Sequence, residues 1–314
     1  MVFQNFQYEV LLELIFYEFS TQNLNIKINK NKYKMEIEDQ DILIHSLKAL
    51  RLIRDSINNS MVNLSNTDKI TPFYIIPITA FLKKNQNFKI IYPKDNFKLS
   101  YLDTIKFPET TCALNISKMS YIPLFEIKKE LGNNEENGTI LDLIEKIIVE
   151  NFDLKENIQI LMCIFNELIC NIQQHSESDF NCIQAQIYTN KLAISLIDTG
   201  ISIPSKYKKS GYKNEENNIE LFKLAFKGIS TKDNNERGTG IPNIYNWICD
   251  GLNGSMVIIS KNCAFKKIFN EKIEFIDLEP LKLSFDGTII NLLFEKPKKK
   301  IDCYMFINKP LCNL

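Results

Sequence analysis

The stretch NELICNIQQHS, residues 166–176, sets an acid, an amide and an imidazole at four-residue intervals inside an otherwise apolar run: Glu167, Asn171 and His175. Residues four apart on an α-helix are displaced by only about 40°, so the three form one narrow polar stripe. Ile164, Phe165, Leu168, Ile169 and Ile172 take the other directions and suit packing on a sheet. Taken alone, the segment reads as an amphipathic helix with its stripe toward solvent.

Three later segments change that reading. LAISLIDTGISIP (192–204) is an apolar strand ending in Asp198, Thr199 and Gly200. A carboxylate at a strand end can accept hydrogen bonds, while glycine lets the backbone turn close to a ligand. GISTKDNNERGTGIPNIYNWI (228–248) runs through Gly238 and Gly240 into a helix, with Pro242 in a favourable first-turn position. Exposed amides at such a glycine-rich helix start suit an anionic phosphate. FDGTIINLLF (285–294) is a strand with Gly287-Thr288 at its start.

In order and spacing, these four segments resemble the GHKL ATPases, the family of gyrase, heat-shock chaperones, histidine kinases and MutL. Within that family the flavour is similar to bacterial anti-sigma serine kinases and related ATP-binding regulators. The resemblance covers residues 140–295. It implies an α/β sandwich, a mixed sheet covered by helices, that binds ATP with Mg²⁺. It assigns Asn171 to the metal and Glu167 to activation of water or of a substrate hydroxyl. Asp198 would accept the adenine amino group, Gly200 would let the chain pass the base, and Thr288 would support the aspartate. Gly238, Thr239 and Gly240 would cradle the triphosphate. Residues 205–237 would form a mobile lid with Ser230, Lys232 and Arg237 as phosphate contacts, and the polar stripe would face ATP. His175 extends the stripe, either as a hydrogen-bonding neighbour of the site or as a helix-end residue. Two positions depart from the family pattern. Ser202 stands where a second glycine is usual after Asp198, and Pro242 stands near a third glycine of the phosphate loop. Both bear on hydrolysis more than on binding.

The first half reads strand, helix, strand, helix over residues 61–107, after an amphipathic run at 7–19, an alternating strand at 32–38 and a helix at 41–57. MVNLSNTDKITPFYIIPITAFLKKNQNFKIIYP resembles STAS-like domains, in which the turn before the helix holds a phosphorylatable hydroxyl. Thr71 lies nearest that place; its other reading is a helix N-cap in a structural α/β layer. His45, in DILIHSLKALR, raises the alternative of a histidine-kinase phosphoacceptor. Ser46 follows it where such boxes usually carry an acid, and the strand-rich segment downstream fits poorly with a helical hairpin.

GNNEENG (132–138) is the clearest linker signal, so the expected domains are 1–130, STAS-like, and 131–314, GHKL, an α+β chain overall. Charges balance to a formal zero, which argues against a sequence-independent nucleic-acid binder. No C-x-x-C spacing suggests zinc, and cysteines in apolar runs such as Met162-Cys163-Ile164 read as core residues of a reduced, cytoplasmic protein. No apolar run reaches membrane-spanning length. The resemblance implies a nucleotide and a protein partner and leaves room for a homodimer. The expected function is phosphoryl transfer to a serine or threonine of a partner, or ATP-driven switching. The alternative is an ATP-sensing module without turnover.

Overall fold

Between residues 36 and 107 periodicity lays down three helices and two short strands. α1 (Asp41–Ile57) buries Ile42, Leu43, Leu47, Ala49 and Leu50. α2 (Pro72–Lys84) opens on a proline, where the absent N–H leaves no helical bond unmade, and is buried along most of its length. α3 (Asn96–Thr104) is capped by Asp95, whose side chain accepts from the amides of Phe97 and Lys98. β1 (Met61–Asn63) and β2 (Lys89–Ile91) pair in parallel. The computed structural model describes residues 36–111, 121–127, 155–175, 177–212, 217–231 and 240–307, with 141, 142, 144–146, 148, 149 and 152. The helix read at 7–19 and the linker at 132–138 lie outside them, as does residues 32–35 of the expected first strand; residues 36–38 are not a strand.

A seven-stranded sheet forms the centre. Its strands are β3 (Tyr121–Glu126), β4 (Asn181–Ile187), β5 (Lys191–Asp198), β6 (Ser255–Lys261), β7 (Cys263–Lys267), β8 (Glu274–Asp277) and β9 (Phe285–Glu295). In space they run β3-β4-β5-β9-β6-β7-β8. Every ladder in it is antiparallel, which corrects the expected mixed sheet. The connections explain this: β4 turns into β5, and β6 into β7, through links too short for a parallel crossover.

Strand alternation gives the sheet two apolar faces. On one, Ile183, Ile194, Leu196, Ile258, Phe265 and Ile290 meet α4 (Ile158–His175) through its Ile160, Leu161, Ile164, Phe165, Leu168, Ile169 and Ile172. On the other, Ala193, Ile197, Val257, Ile259, Ile289 and Leu293 are equally buried, with α1 and α2 packed against that side. The Asn291 amide of β9 donates to Ser46 Oγ of α1 at 2.7 Å, which pins the two layers together.

The boundary expected at 130/131 lies outside the described residues. Elements on its two sides nonetheless share one core: β3 pairs with β4, and Glu36–Leu314 form one compact unit. Residues 205–237, expected as a mobile lid, contain most of α5 (Ile203–Lys209) and all of α6 (Asn218–Phe226). Tyr207, Leu221, Phe222 and Phe226 from these helices join the core beside α4. Among the described residues, no helix is long and apolar enough to cross a membrane.

Candidate functional site

The connection from α4 to β4 is short, and Asn181 at the start of β4 is in register with Asp198 at the end of β5. The C-terminal end of α4 is therefore held at the Asp198 end of the sheet. Glu167 and Asn171 sit there, both half-buried. α7 (Gly240–Tyr245) begins against them and continues as a π-helical segment, Asn246–Gly251. A Cβ added at Gly240 would stand 2.5 Å from Glu167 Oε1 and 3.0 Å from Asn171 Oδ1. The backbone of the glycine-rich segment thus reaches the acid and amide of the stripe, so close that a side chain at 240 would have to displace the ends of both. Asn171 Nδ2 is buried and finds no partner among the described residues. Orphaned buried amides are uncommon and mark places where a further polar group belongs. Asn171 offers an amide oxygen of the hard kind that a divalent cation takes, with the Glu167 carboxylate one turn away on the same helix.

Asp198 is 7% exposed. Burial pushes its carboxyl up to about 7, against the opposing effects of the Gly200 amide, the Thr288 hydroxyl and the charge of Lys84. The Gly200 N–H donates to Asp198 Oδ1 at 3.0 Å, so the turn closes on the carboxylate. Thr288 lies directly opposite Asp198 in the β5–β9 ladder. Gly287, next to it, has φ +125°, and a Cβ there would collide with the Asp198 carbonyl oxygen. The close backbone approach at this turn is made by Gly287.

Three residues of this turn were not singled out in the sequence. Ser260 Oγ donates to the Gly287 carbonyl at 2.7 Å and accepts from the Ile203 N–H at 2.8 Å, joining β6, β9 and the start of α5. Its signal was a hydroxyl ending an otherwise apolar strand. Ser178 Oγ accepts from the Thr199 N–H at 2.9 Å. Lys84, at the end of α2, donates to the Thr199 carbonyl at 2.9 Å. Nothing in the local sequence of Lys84 marks it, because its target is distant in the chain.

The two departures have structural roles. Ser202 caps α5, its Oγ accepting from the Ser205 N–H at 3.4 Å. Pro242 is buried in the first turn of α7. Ser230 is half-buried just after α6, beside Ile229, whose carbonyl accepts from the Tyr207 hydroxyl at 2.5 Å. Lys232, Arg237, Gly238, Thr239 and the side chain of His175 lie outside the described residues.

Thr71 occupies the N-cap position of α2, but its side chain makes no capping bond. Its hydroxyl is instead 2.9 Å from His45 Nδ1, and Thr71 is fully buried. His45 is 7% exposed, with Nε2 3.7 Å from Asp41 Oδ1, so the histidine is packed between two helices. Among the described residues Cys182, Cys249, Cys263 and Cys303 are buried, whereas Cys163, read from the sequence as a core residue, is half-buried and Cys170 is exposed. No known family model matches the sequence, and no curated protein matches it either.

Proposed function

We propose that this chain is an ATP-binding regulator whose nucleotide site is built from Asp198, Thr288, Glu167, Asn171 and the segment ending at Gly240. The observation that carries the reading is the contact of Gly240 with Glu167 and Asn171, which joins two motifs far apart in sequence at the Asp198 end of the sheet. In this reading Asp198, held by Gly200 and Thr288, accepts the adenine amino group. A bound Mg²⁺ would neutralise charge on the phosphates. Asn171 offers its amide oxygen to that ion, and Glu167 takes the proton from the attacking water or hydroxyl. The protein partner is then the acceptor of the phosphoryl group or the reader of the nucleotide state.

Ser202 favours a second reading, ATP sensing without turnover, since the cap it provides fixes the segment after Asp198 as a helix. Calorimetry with ATP and Mg²⁺ tests the site: binding with 1:1 stoichiometry is the expected result, and no heat at millimolar ATP removes the proposal. Labelled ATP incubated with the chain and cell lysate, followed by mass spectrometry, separates the roles. Phosphate on a partner identifies a kinase, free phosphate an ATPase, and neither a sensor.

A further inference from the structure

The Asp198–Thr199–Gly200 turn is gripped from two directions. On the side of α4 and β4, Ser178 Oγ accepts from the Thr199 N–H, and the Thr199 hydroxyl is 3.2 Å from the Phe180 carbonyl oxygen. On the side of the first-half layer, Lys84 Nζ donates to the Thr199 carbonyl. Its neighbour Lys83 stands 6.0 Å over the Phe180 ring. Both are the last residues of α2, the helix packed on β4 and β5. A lysine has three donors and a long stem, and here it reaches a backbone carbonyl at the centre of the turn rather than a carboxylate.

We propose that Lys84 is a positioning residue of the nucleotide site and that through it α2 is energetically linked to the occupancy of the Asp198 turn. The inference rests on the nucleotide reading above and adds a regulatory connection to it. Lys84 is the charge acting on Asp198 among the described residues, while the hydrogen bonds to the carboxyl come from the Gly200 amide and the Thr288 hydroxyl. Its ammonium favours the ionised carboxylate, the form that accepts a hydrogen bond from an amino group with both oxygens. Linkage makes the effect reciprocal: a displacement of α2 that withdraws Lys84 weakens nucleotide binding, and bound nucleotide holds α2 in place by the same factor. A partner that pulls on the first-half layer would thereby control a site it does not touch.

The test uses the full chain with Lys84→Met, which removes the charge and keeps the stem, and Lys84→Arg, which restores a cation. Carboxyl ¹³C resonances follow Asp198 through a pH titration without nucleotide, and calorimetry follows ATP binding at several pH values. In Lys84→Met the Asp198 titration moves to higher pH. ATP binds about tenfold more weakly near neutrality, and the loss shrinks as the pH is raised and Asp198 ionises without help. Lys84→Arg recovers both readouts. An Asp198 titration unchanged in Lys84→Met overturns the role of Lys84 whatever ATP does, and so does a binding loss equal at every pH. A titration that shifts in Lys84→Met while the wild-type chain binds no ATP overturns the nucleotide reading instead, and leaves only the electrostatic pairing.

Discussion

Asp198 ties pH to both stability and binding. Its folded carboxyl lies near 7, above the ordinary carboxylate range, because burial disfavours the charge. The sign follows from linkage: between the ordinary range and about 7 the folded state holds the proton that the unfolded state has lost. The stability from this group is therefore present at acid pH and is lost as pH rises through 7. Asp198→Asn cannot ionise, so its stability relative to wild type should improve from pH 5 to pH 8, by at most ~1.4 kcal/mol per pH unit. Thermal melts across that range check this, and a constant difference would show an ordinary carboxylate. For ATP the direction reverses: wild-type affinity should fall as pH drops below 7, and Asp198→Asn should lose a charged hydrogen bond of ~1.5–3 kcal/mol, tenfold or more in affinity. At the other end of the site, Glu167→Gln should lower turnover or transfer by ~10²–10⁴-fold while binding persists. Equal rates in an active wild type and the variant would take Glu167 out of the chemistry. Gly240→Ala places a methyl against Glu167 and Asn171, so it should weaken ATP binding by about tenfold or more without unfolding the chain. Calorimetry showing normal affinity in a folded Gly240→Ala protein would mean that α7 does not shape the site.

The elements differ in how plainly the sequence announces them. α1, α2 and α4 are written in apolar periodicity, and the structure places α1 at the boundaries expected for it. Asp198 was legible as a polar residue closing an apolar strand and Thr288 as one near the start of another, and their register brings them opposite each other. β3 was not legible. YIPLFE carries Pro123 and a register shift between Ile122 and Phe125, so it lacks clean alternation; a proline is tolerated there because β3 is an edge strand. α5 and α6 were obscured by the Lys and Asn around them, although NIELFKLAF is itself apolar at helical spacing. Phe222 in that helix is fully buried and meets Phe226 and Phe275 edge-on at 5.3 and 6.2 Å. Phe222→Ala should therefore destabilise the chain by ~3–5 kcal/mol, read by denaturant unfolding. A surface-like change within about 0.5 kcal/mol would restore the idea of a loosely held lid. Hydrogen exchange gives the same contrast: α6 amides should be protected before nucleotide is added.

At the scale of the whole molecule, the decisive feature is the layer formed by α1 and α2, because long-range packing of that kind leaves no local mark in a sequence. Polar contacts from Asp39, just before α1, and from Tyr101 of α3 fix how the first-half elements sit on the sheet. Lys191 Nζ pairs with Asp39 Oδ2 at 2.6 Å, Ser255 Oγ donates to Asp39 Oδ1 at 2.8 Å, and Gln184 Nε2 donates to the Tyr101 hydroxyl at 3.2 Å. Beneath them lie Ala193, Ile197, Val257, Ile259, Ile289 and Leu293, all buried. Uncovering a large aliphatic side chain forfeits roughly 1.5–3 kcal/mol, and five of these six are that kind of residue, so the total is comparable to the ~5–15 kcal/mol stability of a typical domain. A chain starting at residue 131, the boundary suggested by the linker, would also lack β3 and leave the β4 edge unpaired. Such a chain should fail to melt cooperatively, bind a hydrophobic dye and aggregate, although it keeps every residue assigned to ATP. Adding back residues 36–130 as a separate chain should restore cooperative melting if the two halves meet through this face. A sharp melt and a dispersed amide spectrum from residues 131–314 alone would show that the sheet needs no second layer, and that α2 and Lys84 are additions to an independent nucleotide domain.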